Sequence, residues 1–318
     1  MTAHPHLRQS AIPAAVTALL KTLHEAGFSA YPVGGCVRDL LLGRQPHDWD
    51  VTTNALPRQS EELLQSCRVI ETGVQHGTIT VLAGDCPVEL TTFRGEGGYA
   101  DGRHPDAVTF GVTLQQDLSR RDFTIGAMAW DTEKTCLIDP FGGQQDLQNR
   151  LIRAVGDPDR RFAEDGLRIL RGLRFAAELG FAVEPETAAA LRRNAPRLQS
   201  LSPERVRAEL QKLICGRAAA PVLREYTEVI GVVLPELLPM VGFAQNNPHH
   251  NRDVWEHTLT VLENIPAEPV LRWAALLHDA EKPACCTVDA EGVRHFHGHQ
   301  QKSAETAEAM LRRLHCET

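Results

Sequence analysis

The sequence has no run approaching the ~18 apolar residues that a membrane span requires. Residues 1–10 are polar and interrupted by Pro5, so they lack the apolar core of a signal peptide. The eight cysteines are scattered without a Cys-x-x-Cys pair, and the adjacent Cys285 and Cys286 are poorly placed to share a zinc. This usage excludes a disulfide scaffold and fits a reduced, cytoplasmic protein with unlinked thiols. Net positive charge is also missing: the formal balance is −8, which argues against a generally basic nucleic-acid binder while leaving room for a local basic patch. Aromatic residues are few, at 5%, and no internal repeat or low-complexity segment occurs. What is present is a 318-residue chain with 42% hydrophobic residues, long enough for two or three globular domains rich in helix.

Residues 12–26 carry apolar positions at helical spacing and stop at Gly27. Short strand-like runs follow at 29–33, 49–53, 68–72, 78–82 and 88–93, with helical patterns at 37–42 and 58–66. The polar, Gly-rich stretch 95–105 reads as a loop. After about residue 140 strand signals fade and helical patterns take over, at 162–178, 185–194 and 203–213. A break near 241–252 precedes helical runs at 255–264 and 269–278. A last helix begins near Ser303 and still runs at Thr318, so the final block reads as incomplete. The fold class is therefore α+β, with a small mixed-sheet head over 1–140, a helical neck and body over 141–240, and a helical domain over 241–318.

Chemistry concentrates in Val33-Gly34-Gly35-Cys36-Val37-Arg38-Asp39, followed by Asp48-Trp49-Asp50. On a strand, residues i and i+2 share a face, so Asp48 and Asp50 project together and repel unless a cation lies between them. Hard divalent ions such as Mg2+ take oxygen ligands and arrive with phosphates. The glycines let a phosphate approach the backbone where a helix starts. The segment thus places a metal site beside a triphosphate site.

Gly-Gly-x-Val-Arg-Asp-x-x-Leu-Gly-Arg-x-x-x-Asp-x-Asp-x-x-Thr resembles the signature of the bacterial tRNA nucleotidyltransferase (CCA-adding enzyme) and poly(A) polymerase family, within the polymerase-beta-like nucleotidyltransferases. The resemblance implies two-metal nucleotidyl transfer, in which ions about 4 Å apart activate a 3′-hydroxyl and hold the departing pyrophosphate. Asp48 and Asp50 would hold Mg2+, and Glu89, a charge within the apolar run 88–93, is the candidate third carboxylate; alternatively it lies on a solvated strand face or pairs with Arg94. Gly34, Gly35 and Arg38 would serve the triphosphate. Arg120-Arg121-Asp122-Phe123-Thr124-Ile125-Gly126-Ala127 resembles the family's Arg-Arg-Asp-Phe-Thr-x-x-Ala motif, with Gly126 where Asn is usual. It implies that Arg121 contacts nucleotide phosphates.

Glu164-Asp165-Gly166-Leu167-Arg168 resembles the family's base-recognition motif Glu-Asp-x-x-Arg. Asp165 and Arg168, three residues apart, can meet on one helix face; Asp only accepts and Arg only donates. C and A both present an amino donor beside a ring-nitrogen acceptor, so one such pair accepts both and rejects U and G without a template. Arg168, Arg171 and Arg174 form a stripe whose later members would face the triphosphate or the primer backbone. Residues 150–217 hold 14 Lys/Arg against 9 Asp/Glu, and Arg192, Arg193, Arg205 and Arg207 are candidates for tRNA phosphates. Ser202 to Arg205, with Glu209 and Leu210, resembles a structural segment of the family.

The last block pairs His257 with His278-Asp279 after an apolar run, and His297 and His299 follow. This resembles the HD metal-dependent phosphohydrolases and implies a second divalent-metal site at His257, His278 and Asp279. Glu281 replaces the usual Gly and no final Asp ligand is identifiable, and these departures from the resemblance point to a partial or vestigial HD function. HD-like domains occur in the nucleotidyltransferase family, which tilts the reading toward CCA addition to tRNA from CTP and ATP. Poly(A) addition is the alternative, and an HD phosphohydrolase with a nucleotide-binding head is the alternative of another class.

Overall fold

The computed structural model describes residues 12–97, 107–246 and 252–316. The chain divides into two compact units, Met1–Asp157 and Pro158–Thr318. The first runs α1 (Ala14–Glu25), β1 (Ala30–Pro32), α2 (Gly35–Leu41), β2 (Trp49–Thr53), α3 (Pro57–Leu63), β3 (Arg68–Gly73), β4 (Thr78–Ala83) and β5 (Cys86–Thr92). It continues with β6 (Arg94–Gly97), β7 (Ala107–Phe110), α4 (Leu114–Ser119), β8 (Ala129–Asp131), β9 (Cys136–Ile138), α5 (Gly143–Asn149) and β10 (Leu151–Ile152).

Five strands form one mixed sheet in the order β1-β2-β5-β4-β3, with β2 and β5 parallel and the other neighbours antiparallel. Period-two burial decides its faces. Ile79, Val81, Val88 and Leu90 are buried, and the register sets Ile79 and Val51 opposite Leu90 and Val81 opposite Val88. Helix α1 lies against β4 and β5 and buries Val16, Leu19, Leu20 and Leu23, a stripe at helical spacing. Burying each such side chain contributes about 1.5–3 kcal/mol. The other face of the sheet carries the row Asp50, Glu89 and Thr80, adjacent across β2, β5 and β4.

Two departures from the expected elements concern this unit. Gly95 to Gly97, read as loop, extend β6 and pair with β7, Gly95 opposite Thr109; the rest of the expected loop, 98–105, lies outside the described residues. The hairpin of β8 and β9 has no clear alternation in sequence. It is closed by Asp131, whose Oδ1 accepts the Glu133 and Lys134 amides, and Ala129 bridges to Val33.

The second unit runs α6 (Pro158–Glu164), α7 (Leu167–Leu179), β11 (Ala182–Val183), α8 (Pro185–Asn194), α9 (Pro203–Ile214), α10 (Ala219–Glu225), α11 (Thr227–Ile230), α12 (Val254–Asn264) and α13 (Pro269–Leu277). It closes with the hairpin of β12 (Thr287–Val288) and β13 (Arg294–His295) and with α14 (His299–Arg313). Short strands thus persist beyond residue 140. The single helix expected over 162–178 is broken at Asp165 and Gly166, where Asp165 Oδ1 accepts the Leu167 amide at 2.9 Å and turns the chain. Gly166 lies against Arg197, whose Cβ would be 3.3 Å from an added side chain. The last helix starts at His299 rather than Ser303 and ends at Arg313, with the Leu314 amide closing on Met310. Within the expected break at 241–252, residues 247–251 lie outside the described residues.

Candidate active site

Strand β2 begins at Trp49, so Asp48 stands exposed on its approach, while Asp50 is half-buried and Glu89 is exposed on the adjacent β5. The parallel register sets Asp50 directly opposite Glu89. Burial pushes the Asp50 carboxyl up to about 6 against the opposing charge of Arg121; Glu89 and Asp48 push the same way as burial, and Arg38 opposes them. A carboxyl that resists ionisation among like charges is the electrostatic mark of a cation site. The donor set, oxygens only, fits a hard divalent ion. Glu89 does not take Arg94 as its partner: the Arg94 guanidinium donates to the His76 carbonyl instead.

Gly34 closes one side of this face. Its φ of +77° suits glycine, and an added Cβ would lie 3.0 Å from Arg121 Nη1 and 3.6 Å from Asp50 Oδ2. The backbone is pinned on both sides, with the Val33 amide donating to the Asp50 carbonyl at 2.9 Å and the Gly34 amide to Met128 at 3.1 Å. At Gly35 the nearest atom to an added Cβ is Arg38 Nη2, at an ordinary 3.8 Å. Arg38 Nε donates to Asp39 at 2.9 Å. Cys36 is fully enclosed beneath the site, and burial, then the nearby Asp50 charge, pushes its thiol up to about 12. Such a thiol is inert.

Sequence reasoning missed Asp117, on α4. It is fully buried, with Arg121 Nη2 at 3.5 Å from its Oδ2 and Arg120 at 2.9 Å from its Oδ1. Burial alone would raise this carboxyl, but Arg120 and Arg121 bring it below its ordinary value. The legible signal was spacing: Asp117 stands three and four residues before the paired arginines, within reach on a helix.

In the second unit the Arg168 amide donates to the Asp165 carbonyl at 3.1 Å, but the two side chains are not paired with each other. Asp165 Oδ2 accepts Arg205 Nη2 at 2.7 Å, and Arg168 Nη1 donates to Glu164 Oε2 at 2.6 Å. The cause is the break that places Asp165 before α7 while Arg168 lies within it. The basic stripe is not a solvent face either. Arg168 and Arg174 are buried, and Arg174 donates to Glu209 on α9 at 2.6 Å and to Glu178 at 2.9 Å, tying two helices together. Arg171 is half-buried, with its guanidinium 5.9 Å from the centre of the Phe175 ring. Arg192 pairs with Glu228 and Arg193 with Asp159, while Arg207 donates to the His315 carbonyl.

The histidine block forms a compact cluster. Ligand atoms of His257, His278 and Asp279 all lie within 4.8 Å of one another. Asp279 Oδ2 is 3.1 Å from His278 Nε2 and 3.6 Å from His257 Nε2, and the ammonium of Lys282 is 2.8 Å from the same oxygen. His299, outside the expected ligand set, places Nε2 3.4 Å from Asp279 Oδ1. Burial opposes ionisation of Asp279, but His278 and Lys282 hold its carboxyl well below the usual carboxylate range. His278 is raised: burial lowers it and Asp279 more than compensates. Glu281, the departure from the HD pattern, accepts Thr306 Oγ1 at 2.7 Å, and its amide donates to Ser303 Oγ, so it fastens α14. A cavity of about 840 Å³ lined by Gln211, Trp273, Leu277, His299 and Leu311 reaches this cluster.

A family model described as "Poly A polymerase head domain" matches residues 30–153, and one described as "Probable RNA and SrmB- binding site of polymerase A" matches residues 180–240. The crystal structure of the Bacillus stearothermophilus CCA-adding enzyme in complex with CTP matches at 34% identity and a TM-score of 0.66, over 96% of this chain and 71% of that one. The chain belongs to the bacterial tRNA nucleotidyltransferase and poly(A) polymerase family.

Family relatives agree in sequence. The CCA-adding enzyme of Lactobacillus helveticus is 42% identical over 262 residues, 80% of this chain and 65% of the relative. That of Limosilactobacillus fermentum is 48% identical over 200 residues, 63% of this chain and 49% of the relative. The chain thus spans between about half and 65% of the length of these curated relatives. The head match begins at β1 and ends after β10, so it contains Gly34, the carboxylate row, Asp117 and Arg121. The second match begins after α7 and so takes in Arg205 and Glu209 but not Asp165 or Arg168.

Proposed function

We propose that this chain adds C and A to the 3′ ends of tRNA without a template, using CTP and ATP and releasing pyrophosphate. The observation that carries the reading is the crowding of Asp48, Asp50 and Glu89 beside Gly34 and the half-buried Arg121. Asp48 and Asp50, with Glu89 as the third, would hold divalent cations, and Mg2+ suits an all-oxygen set that works on triphosphates. When bound, two such ions acidify the attacking 3′-hydroxyl and neutralise the departing pyrophosphate. The remaining work is positioning. Gly34 and Gly35 leave the backbone open to the triphosphate, and Arg38 and Arg121 offer donors to its oxygens. Asp165 and Arg168 present the acceptor and donor that C and A share, each steadied by its own partner, Arg205 and Glu164. Arg171 is the stripe member assigned to the nucleotide or primer; Arg174, tied to Glu209 and Glu178, is assigned to packing. His257, His278 and Asp279 would take a second divalent ion, their mixed nitrogen and oxygen donors suiting Mn2+ or a later transition metal. We infer a cytoplasmic location from the tRNA substrate; among the described residues no helix is long and apolar enough to cross a membrane.

The test offers tRNA ending before C, C-C or C-C-A together with each nucleotide in turn. The expected outcome is CTP used first, ATP used once after C-C, and UTP and GTP rejected. Repeated incorporation of ATP alone on many RNAs would sink this reading in favour of poly(A) addition.

A further inference from the structure

Asp117 has no exposed surface, yet it carries a charge that the transfer chemistry does not use. An ionised carboxylate is tolerated in such a place only when its oxygens are filled by donors. They are filled here in two separate sets. Oδ1 accepts Arg120 Nε at 3.0 Å and Nη2 at 2.9 Å, and the Arg94 amide at 3.3 Å. Oδ2 faces Arg121 Nη2 at 3.5 Å and accepts Thr52 Oγ1 at 3.3 Å. Thr52 is on β2, two residues beyond Asp50 and on the same face of the strand.

Arg121 needs such a holder. Its Nε is buried without a hydrogen-bond partner, so the guanidinium is not oriented from that side. Among the described residues, Asp117 is the carboxylate in ion-pair range of it. The other end of the fork, Nη1, fills the space beside Gly34, 3.0 Å from where a Cβ would lie. Arg121 therefore stands between two carboxylates: Asp117 behind it, and Asp50 on the cation face, whose charge it partly offsets.

We propose that Asp117 is a positioning residue for nucleotidyl transfer, holding Arg121 through its Oδ2 oxygen so that the guanidinium meets the triphosphate beside Gly34. The inference rests on the transfer reading above. Asp117 touches no reacting atom. Its Oδ1 oxygen serves the fold by binding Arg120, and its Oδ2 oxygen serves the site by binding Arg121.

The experiment measures equilibrium binding of CTP, KM for CTP and ATP, and thermal unfolding on the full chain. Asp117→Asn is expected to weaken CTP binding and raise both KM values about tenfold, the scale of a lost charge-assisted hydrogen bond, with kcat within about threefold of wild type. In an Arg121→Gln background the same change should add less than about twofold, because the two residues act as a unit. Arg120→Gln should lower the unfolding midpoint yet leave the CTP KM within about twofold. If Asp117→Asn does not fold, Asp117→Asn with Arg120→Gln, which removes one charge of each sign, is compared with Arg120→Gln alone. The role is overturned by wild-type CTP binding in the folded Asp117→Asn variant, by an effect undiminished in the Arg121→Gln background, or by an equal KM rise in Arg120→Gln. Transfer is scored separately. A wild type that binds CTP but adds no nucleotide to tRNA brings down the transfer reading and this inference with it. A wild type that transfers while Asp117→Asn binds CTP normally brings down the inference alone.

Discussion

The molecule carries two clusters of carboxylate chemistry, and their electrostatics are opposite. In the first unit Asp48, Asp50 and Glu89 face one another with too little positive charge, and burial lifts Asp50 to about 6. In the second unit the single carboxylate of Asp279 is surrounded by Lys282, His278, His257 and His299, and is held far below its ordinary value. The first cluster is a deficit that a divalent cation relieves. The second is already neutralised from within, so a metal there would compete with an ammonium for the same oxygen. Clustered acidic and imidazole groups thus do not all request a metal to the same degree; the neighbours decide.

The sharpest way to break the comparison is to remove each cluster in turn. Asp48→Ala or Asp50→Ala should lower nucleotide incorporation about a thousandfold or more, whereas His278→Ala should leave the initial rate within about threefold. Polymerisation that survives the first changes and fails with the second would invert the assignment. Next in size is stability. Asp279→Asn leaves the buried Lys282 ammonium without its counter-charge, hydrogen-bonded to Gln245 Oε1, and should destabilise its unit by about 3 kcal/mol in denaturant titration, while Asp48→Asn, exposed among like charges, should change stability little in the absence of added cation. Gly34→Ala comes third: a left-handed φ and contact with Arg121 should together remove about 1–3 kcal/mol of stability and weaken CTP binding, with Gly35→Ala milder.

The smallest effect is a pH dependence of opposite sign at the two carboxylates, Asp50 and Asp279. Asp50 titrates near 6 when folded and near 3.8 when unfolded, so between these values the folded state binds more protons and stability falls as pH rises. Asp50→Asn should flatten that slope, and Mg2+ should raise the unfolding midpoint more at pH 7.5 than at pH 5. Asp279, depressed on folding, contributes stability above the ordinary carboxylate range that is lost as pH falls. His278, raised on folding, contributes stability at low pH that is lost as pH rises through its folded value. Thermal unfolding across pH, with and without each substitution, reads all three.

Much of the first unit was legible because its sheet obeys period-two alternation and its special backbone is marked by glycine. The five runs expected as strands are the five strands of the mixed sheet, within two residues at each end. The second unit was less legible. The pattern over 162–178 is helical throughout, yet a side-chain bond from Asp165 and the close approach of Arg197 to Gly166 break it. Arginines at every third position were expected to face the nucleotide or the primer backbone, but Glu164, one turn before Arg168, and Glu209, on another helix beside Arg174, take up two of them in buried pairs. Asp117 was legible only as a possible partner of Arg120 and Arg121; its weight comes from Thr52 and the Arg94 amide converging on it as well.

The sequence by itself determined the chemistry on offer: two carboxylates separated by one residue, a double glycine before a short helix, a Glu-Asp-x-x-Arg motif, and a His-Asp pair after an apolar run. Local geometry follows from such spacing because strand and helix periods are set by the backbone. Only the tertiary structure decided which of these groups carry unbalanced charge. A strand 39 residues downstream sets Glu89 opposite Asp50, α4 sets Asp117 behind Arg121, and the approach of Lys282 and His299 quenches Asp279. Ionisation depends on burial and on charges within a few ångströms, and those are properties of packing.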